Sequence, residues 1–157
     1  RVADVGCGTG YFTVRLLDAV GETGHVVAVD IQQGMLDVLG RRLSTAAREH
    51  VTLRCSDPAA PLVAEDRVDV CFCANTLKEV PDADAAGFVR SMADGLVPGG
   101  RLVVLDWLPV PTGFGPPVSH RIAPRRIREL AEAAGLEPAE EVALLPTHAF
   151  LVFRKPR

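Results

Sequence analysis

The chain has 157 residues, 48% of them hydrophobic and 24% charged, with a formal net charge of −3. That length supports one domain with a sizeable core, and the composition excludes a disordered tail or a coiled coil. The slight acidity gives no electrostatic reason to expect nucleic acid as a partner, because no basic segment stands out beyond Arg121 to Arg128.

Residues 2–5, apolar apart from Asp4, read as a first buried strand. Gly6, Gly8 and Gly10 follow, and Phe12, Leu16 and Ala19/Val20 then fall at helical spacing before Gly21. A second strand over 25–30 ends in Asp30, and Met35, Val38/Leu39 and Leu43 mark a second helix. Strands over 51–55 and 68–73 come next. Phe88, Met92 and Leu96 predict a third helix, stopped by Pro98-Gly99-Gly100 ahead of a strand over 101–106. Residues 107–123 read as a long irregular segment, and loops of that length inside compact domains are usually functional or mobile. A fourth helix begins near Pro124 and carries Ile127, Leu130, Ala131 and Ala134 up to Gly135. Residues 136–145 and 149–154 are extended and joined by Pro146-Thr147-His148, too short a link for a parallel crossover, so an antiparallel hairpin is expected. Strands alternating with amphipathic helices are the pattern of an α/β fold with a parallel sheet.

No apolar run reaches the roughly 18 residues of a membrane span, and the start lacks the charged-then-apolar layout of a signal peptide, which makes a cytoplasmic location the expectation. Cys7, Cys55, Cys71 and Cys73 lie in or beside strands and read as reduced, mostly buried thiols. Cys71 and Cys73 lack zinc-ligand spacing, so no metal site is expected. The chain opens at Arg1 without Met, one residue before a core strand, so a preceding segment is expected.

Where a buried strand turns sharply into a helix, a ligand resting on the turn touches backbone, and Cβ atoms obstruct it. Glycines at 6, 8 and 10 remove them, and the following helix offers unpaired N–H groups and a partial positive charge. A dinucleotide fingerprint wants its third glycine at the position of Tyr11; the G-x-G-x-G pattern favours another adenosine-containing ligand. Asp30, at the tip of the second strand, is placed to accept both ribose hydroxyls.

With these segments in order, the sequence resembles the class I S-adenosylmethionine-dependent methyltransferases: "VADVGCGTG", "VVAVDI", "CSDPAAPL", "VDVCFCANTLKEVPD" and "LVPGGRLVVLDW" follow the family's successive motifs. The resemblance implies a single Rossmann-like three-layer domain over 1–157, with a seven-stranded sheet of order 3-2-1-4-5-7-6 and strand 7 antiparallel. It implies S-adenosylmethionine as cofactor and in-line methyl transfer to a small-molecule acceptor. Within the family it leans towards the branch of ubiquinone and menaquinone C-methyltransferases and arsenite methyltransferases. By residue, it implies that Asp4 and the loop Gly6, Cys7, Gly8 and Gly10 serve the methionine part, Asp30 the ribose, and Ile31 an adenine wall. Ser56 and Asp57 would meet the adenine amino group, and Asn75 and Thr76 the sulfonium side. Lys78 stands where many relatives carry His.

Methyl transfer needs mainly alignment, so no fixed catalytic side chain is expected; Asp106 and His120 are the candidate bases for an acceptor that must lose a proton. Asp4, inside an apolar strand, is expected either to bond loop N–H groups or to face the ligand's ammonium through water. Cys7 and Cys73 could share one pocket as a two-thiol site, whereas Cys55 lies three strand spacings from Cys73, on the order of 14 Å. The segment 107–123 is expected to shape the acceptor pocket with Trp107, Phe114, Val118, His120 and Arg121. Arg near a helix N-terminus opposes its dipole, so Arg125 and Arg126 call for a neighbouring acid or an anionic ligand. Competing readings are a non-enzymatic S-adenosylmethionine-binding module and a nicotinamide-dependent dehydrogenase, the latter disfavoured by Tyr11 and the terminal hairpin.

Overall fold

Short runs of Val, Ala and Cys that are buried on both faces belong in a sheet covered from both sides, and the strands with such runs lie at its centre. The computed structural model describes residues 1–62 and 64–157. In chain order the elements are β1 (Val2–Val5), α1 (Tyr11–Val20), β2 (Val26–Asp30), α2 (Gln33–Arg42), α3 (Thr45–Glu49) and β3 (Val51–Cys55). They continue with β4 (Val68–Ala74), α4 (Asp82–Gly95), β5 (Leu96–Trp107), α5 (Pro124–Ala133), β6 (Glu137–Glu141) and β7 (His148–Arg154).

The strands form one sheet of order β3-β2-β1-β4-β5-β7-β6, parallel except that β7 runs antiparallel to both β5 and β6, as expected. The order reverses between β1 and β4, and a crevice at the carboxyl ends of the strands opens there. One face packs Val5, Val29, Cys73 and Val104 against Phe88 and Met92 of α4 and Ile127 and Leu130 of α5. The other packs Ala28 against Leu36 and Leu39 of α2, with Val14 and Leu17 of α1 beside them. Each fully buried side chain of this size contributes roughly 1.5–3 kcal/mol. No helix among the described residues is long and apolar enough to cross a membrane.

The largest departures from the expected elements concern the end of α4, a short extra helix and the sixth strand. Leu96 ends α4 in an extended conformation and pairs with Val68, so it belongs to the sheet; Val97 to Gly100 bulge before Arg101 pairs with Val70. Lys155 fills the end of α4, its ammonium donating to the carbonyls of Ala93 at 2.8 Å and Leu96 at 2.7 Å. The short α3 was not expected; Ser44 caps it, its hydroxyl accepting from Ala47 N–H at 3.1 Å. The sixth strand covers only Glu137–Glu141, and all five of its residues are exposed.

Cys7, Cys71 and Cys73 are buried, as expected of most of the thiols, and Cys55 is exposed. Cys7 packs in the cluster with Leu36 and Leu39, whereas Cys73 packs with the α4 and α5 side chains. The two thiols are on opposite sides of the sheet, so the two-thiol site is not formed.

Candidate functional site

All three loop glycines have positive φ, but their side-chain space differs. A Cβ on Gly6 would lie 2.1 Å from Thr76 Oγ1, and one on Gly10 would lie 2.2 Å from Leu39 Cδ1. Only Gly8 faces open space. Two of the three glycines therefore serve close packing within the protein as well as the turn. The loop is tied to β2, since Gly6 and Cys7 N–H groups both donate to the Val29 carbonyl, at 2.8 and 3.0 Å. Gly8 N–H donates to Asp30 Oδ2 at 2.8 Å, and Gln32 N–H donates to Asp30 Oδ1 at 2.9 Å. Each carboxylate oxygen keeps a lone pair free for a further donor.

A cavity of about 230 Å³ opens beside this arrangement. Gly6, Asp30, Ile31, Ser56, Asp57, Asn75 and Thr76 line it, seven of the expected residues gathered from four separate segments. Sequence reasoning missed Pro58, Pro61, Val80, Pro81 and Phe88, the apolar walls opposite. Of these only Phe88 had a periodicity to betray it, and that pointed to the core. Ser56 Oγ and Asn75 Oδ1 are buried in this wall without a hydrogen-bond partner among the described residues. Asn75 also adopts a left-handed φ of 56°, held by its N–H donating to the Leu105 carbonyl at 2.7 Å. Unpaired buried polar atoms and backbone strain on one residue are the kind of cost that functional sites retain. Asp57 does the work of a turn with one oxygen, which accepts Ala59 N–H at 2.7 Å.

Asp4, Cys7, Gly8 and Gly10 do not line the cavity. Asp4 is 2% exposed and bonds neither loop amide nor open cleft; its Oδ2 accepts from the Thr13 hydroxyl of α1 at 2.6 Å. Burial raises its pKa from the usual 3.8 to about 6, the Thr13 bond opposing and the Asp30 charge adding to the rise. Burial likewise pushes the Cys7, Cys71 and Cys73 thiols up, away from the reactive thiolate.

A second cavity, of about 470 Å³, lies between the start of α4 and the segment leading into α5. Glu79 and Val80 line both cavities, so the turn Leu77–Glu79 is the partition between them. His120, Arg121 and Arg126 stand on its far side with Ile122 and Leu130. Asp106 reaches neither cavity: its oxygens accept the N–H groups of Trp107 at 2.8 Å and Lys78 at 3.2 Å, fixing the partition to the end of β5. Burial raises its pKa against those amides and the Lys78 charge.

Segment 107–123 is more ordered than its composition suggests. Arg121 donates to the carbonyls of Pro116, Val110, Leu108 and Phe114 and to Thr112 Oγ1, and its guanidinium lies 4.8 Å from the Trp107 ring centre. Trp107 meets Phe114 edge-on, while Phe114 is 66% exposed. Arg121 is thus committed to the loop itself. The cations at the start of α5 have acids: Arg126 pairs with Asp82 at 2.7 Å and Arg125 with Glu129 at 2.8 Å. No group of three or more His, Cys, Asp or Glu among the described residues is placed to hold a metal.

Comparison with known proteins identifies the class first: residues 2–100 match the family described as a methyltransferase domain, and the chain belongs to the class I S-adenosylmethionine-dependent methyltransferases. More narrowly, it is similar to the ubiquinone/menaquinone biosynthesis C-methyltransferase UbiE of Vibrio vulnificus, 37% identical over 111 residues that cover 68% of this chain and 41% of that protein. The demethylmenaquinone methyltransferase of Halalkalibacterium halodurans is 34% identical over 103 residues, covering 66% of this chain and 41% of that protein. A crystal structure of a SAM-dependent methyltransferase from Aquifex aeolicus superposes with a TM-score of 0.87 at 25% identity, covering 98% of this chain and 80% of that one. The chain spans about two fifths of the length of the curated relatives it matches.

Proposed function

We propose that this domain binds S-adenosylmethionine in the cavity at the carboxyl ends of β1, β2 and β4 and methylates a small-molecule acceptor of quinol type. The observation that carries the reading is the pair of unpartnered buried atoms, Ser56 Oγ and Asn75 Oδ1, in the cavity that Asp30 borders. Leaving such atoms unpaired costs about 1–3 kcal/mol each, which a ligand with matching polar groups recovers. Asp30 accepts the ribose hydroxyls with its free lone pairs, Ile31 and Pro58 enclose the adenine, and Ser56 and Asp57 meet its amino group. Asn75 and Thr76 border the methyl-bearing end. Asp4, Cys7, Gly8 and Gly10 act from behind, Asp4 through Thr13 at the start of α1 and the others by shaping the loop.

When bound, S-adenosylmethionine supplies a methyl group that its sulfonium makes electrophilic. The chain's own work is to hold the acceptor in line and keep water out, effects worth up to roughly 7–11 kcal/mol in well-aligned pairs. The relatives' roles in quinone biosynthesis support the acceptor class. Calorimetric titration with S-adenosylhomocysteine and with NAD tests the cofactor, and transfer of labelled methyl groups to a panel of quinols tests the reaction. Binding of S-adenosylhomocysteine but not NAD, with label in a quinol, is expected. Binding without transfer to any quinol would overturn the acceptor assignment, and no binding of S-adenosylhomocysteine would overturn the site.

A further inference from the structure

Two loops at the carboxyl end of β5 expose apolar side chains that line neither of the two cavities. Eight large hydrophobic side chains are exposed among the described residues, and five of them, Val110, Phe114, Val118, Leu144 and Leu145, belong to these loops, residues 108–118 and 142–147. The loops lie side by side. Leu108 N–H donates to the Thr147 carbonyl at 2.9 Å, and the Trp107 ring packs on both Phe114 and His148, with ring centres 5.6 and 4.2 Å away. Single exposed hydrophobics are ordinary on a protein surface, but a cluster on two adjoining loops marks a contact surface.

Backbone polar groups that enter an apolar boundary have to be satisfied within the chain. The carbonyls of Leu108, Val110, Phe114 and Pro116 all accept from the Arg121 guanidinium, and Pro109, Pro111, Pro116 and Pro117 have no N–H to leave bare. The Val110 N–H donates to the Leu108 carbonyl. The N–H groups of Thr112 to Gly115 have no acceptor among the described residues; they belong to the tip that Arg121 grips, where a phosphate oxygen can accept them. Charge narrows the partner further. Arg125, Arg126 and Arg128 are answered by Glu129, Asp82 and Glu141, whereas Arg121 has carbonyls and a hydroxyl for partners and no carboxylate. Residues 107–123 and 142–150 contain no acid, in a chain with 20. A second copy docked on this surface would set one Arg121 charge against another.

We propose that these two loops dock the domain on an anionic lipid surface, with Phe114, Leu144 and Leu145 entering the acyl-chain boundary. The tip amides meet phosphate oxygens, and the Arg121 charge behind them favours the anionic headgroups. The docking is peripheral, since no described helix is long and apolar enough to cross a bilayer. Because Arg121 already orders the loop in the free protein, little conformational freedom is lost when the surface is met.

The test is co-sedimentation with vesicles of phosphatidylcholine alone and of phosphatidylcholine and phosphatidylglycerol in equal parts. Trp107, the single tryptophan of the chain, reports the contact because it packs against Phe114. The protein is expected to bind the anionic vesicles about fivefold or more tightly than the neutral ones. Brominated acyl chains should quench Trp107 emission in the bound protein. Combining Phe114→Ser with Leu144→Ser should weaken binding to the anionic vesicles by at least about tenfold, with thermal unfolding confirming that the variant is folded. No sedimentation with either vesicle, equal binding to the two, wild-type binding by the folded double variant, or unquenched Trp107 in the bound protein would overturn the proposal. So would a concentration-dependent dimer, seen by sedimentation velocity, that the double variant dissolves, because a second copy would then occupy the surface. No cofactor or acceptor enters these measurements, so their outcome is separable from the tests of the first cavity.

Discussion

Gly8 and Asp30 clasp one another across the mouth of the sheet, the glycine amide donating to the carboxylate at 2.8 Å. The bond couples the loop after β1 to the tip of β2, so the acid that recognises a ligand also sets the position of the loop. Removing it should act on both. Asp30→Ala is expected to weaken S-adenosylhomocysteine binding by at least about tenfold, since hydrogen bonds to charged groups are worth roughly 1.5–3 kcal/mol. Asp30→Asn, which keeps one acceptor oxygen, should fall between the two. Calorimetry on variants with an unchanged circular dichroism spectrum checks this, and unaltered affinity in folded Asp30→Ala would remove the residue from the site.

The glycines of the loop should separate by cost. Gly8→Ala meets open space and bears only the strain of its positive φ, roughly 1–2 kcal/mol. Gly6→Ala adds a collision with Thr76, an overpacking penalty of a further 1–3 kcal/mol or so. Urea denaturation of both variants makes the comparison, and equal losses would contradict the packing described for Gly6.

Asp4 gives the domain a pH-dependent stability. Its folded pKa, about 6, lies above the usual 3.8, so the folded state holds this proton more tightly than the unfolded chain does. The resulting stabilisation is full below about pH 4 and is lost as pH rises through 6, a change of about 3 kcal/mol. Asp4→Asn cannot titrate. The stability of wild type relative to Asp4→Asn should therefore fall between pH 4 and 7, measured by urea denaturation at each pH; a constant difference would show that Asp4 does not carry the shift.

Arg121 is expected to determine the order of the loop that flanks the second cavity. Arg121→Met removes every guanidinium bond to residues 108–116, so amide exchange should accelerate across residues 108–120 and stay unchanged in β1 and β4. Affinity for S-adenosylhomocysteine should remain within about threefold, less than 1 kcal/mol. Unchanged exchange across that loop would mean that Trp107, Gly115 and the prolines suffice to hold it.

Much of this architecture was legible because it is local. The glycine turn, the acid ending β2 and the two-segment tail are each written in a few adjacent residues, and the motifs they belong to carry the family resemblance that implies the strand order. What escaped was decided in three dimensions. Leu96 has the right spacing for the apolar face of α4, yet Val68 captures it for the sheet, because helical and extended chains compete for the same buried leucine. Cys7 and Cys73 come from neighbouring strands, but Cys7 lies past the end of β1, where the turn carries it to the opposite face. Asp4 found a hydroxyl on α1 rather than loop amides. Arg121 read as part of a basic patch, since nothing in its neighbours announces that five oxygens of the preceding loop would converge on it.

β6 has a consequence for how copies of this domain can meet. The outermost strand on that side carries Glu137, Glu140 and Glu141 on exposed positions, and Pro138 lacks a backbone donor. A second copy offering its own β6 would bring three carboxylates against three and find a gap in the ladder of amides. The sheet therefore closes its own growth at that edge. Crowded copies should remain separate there.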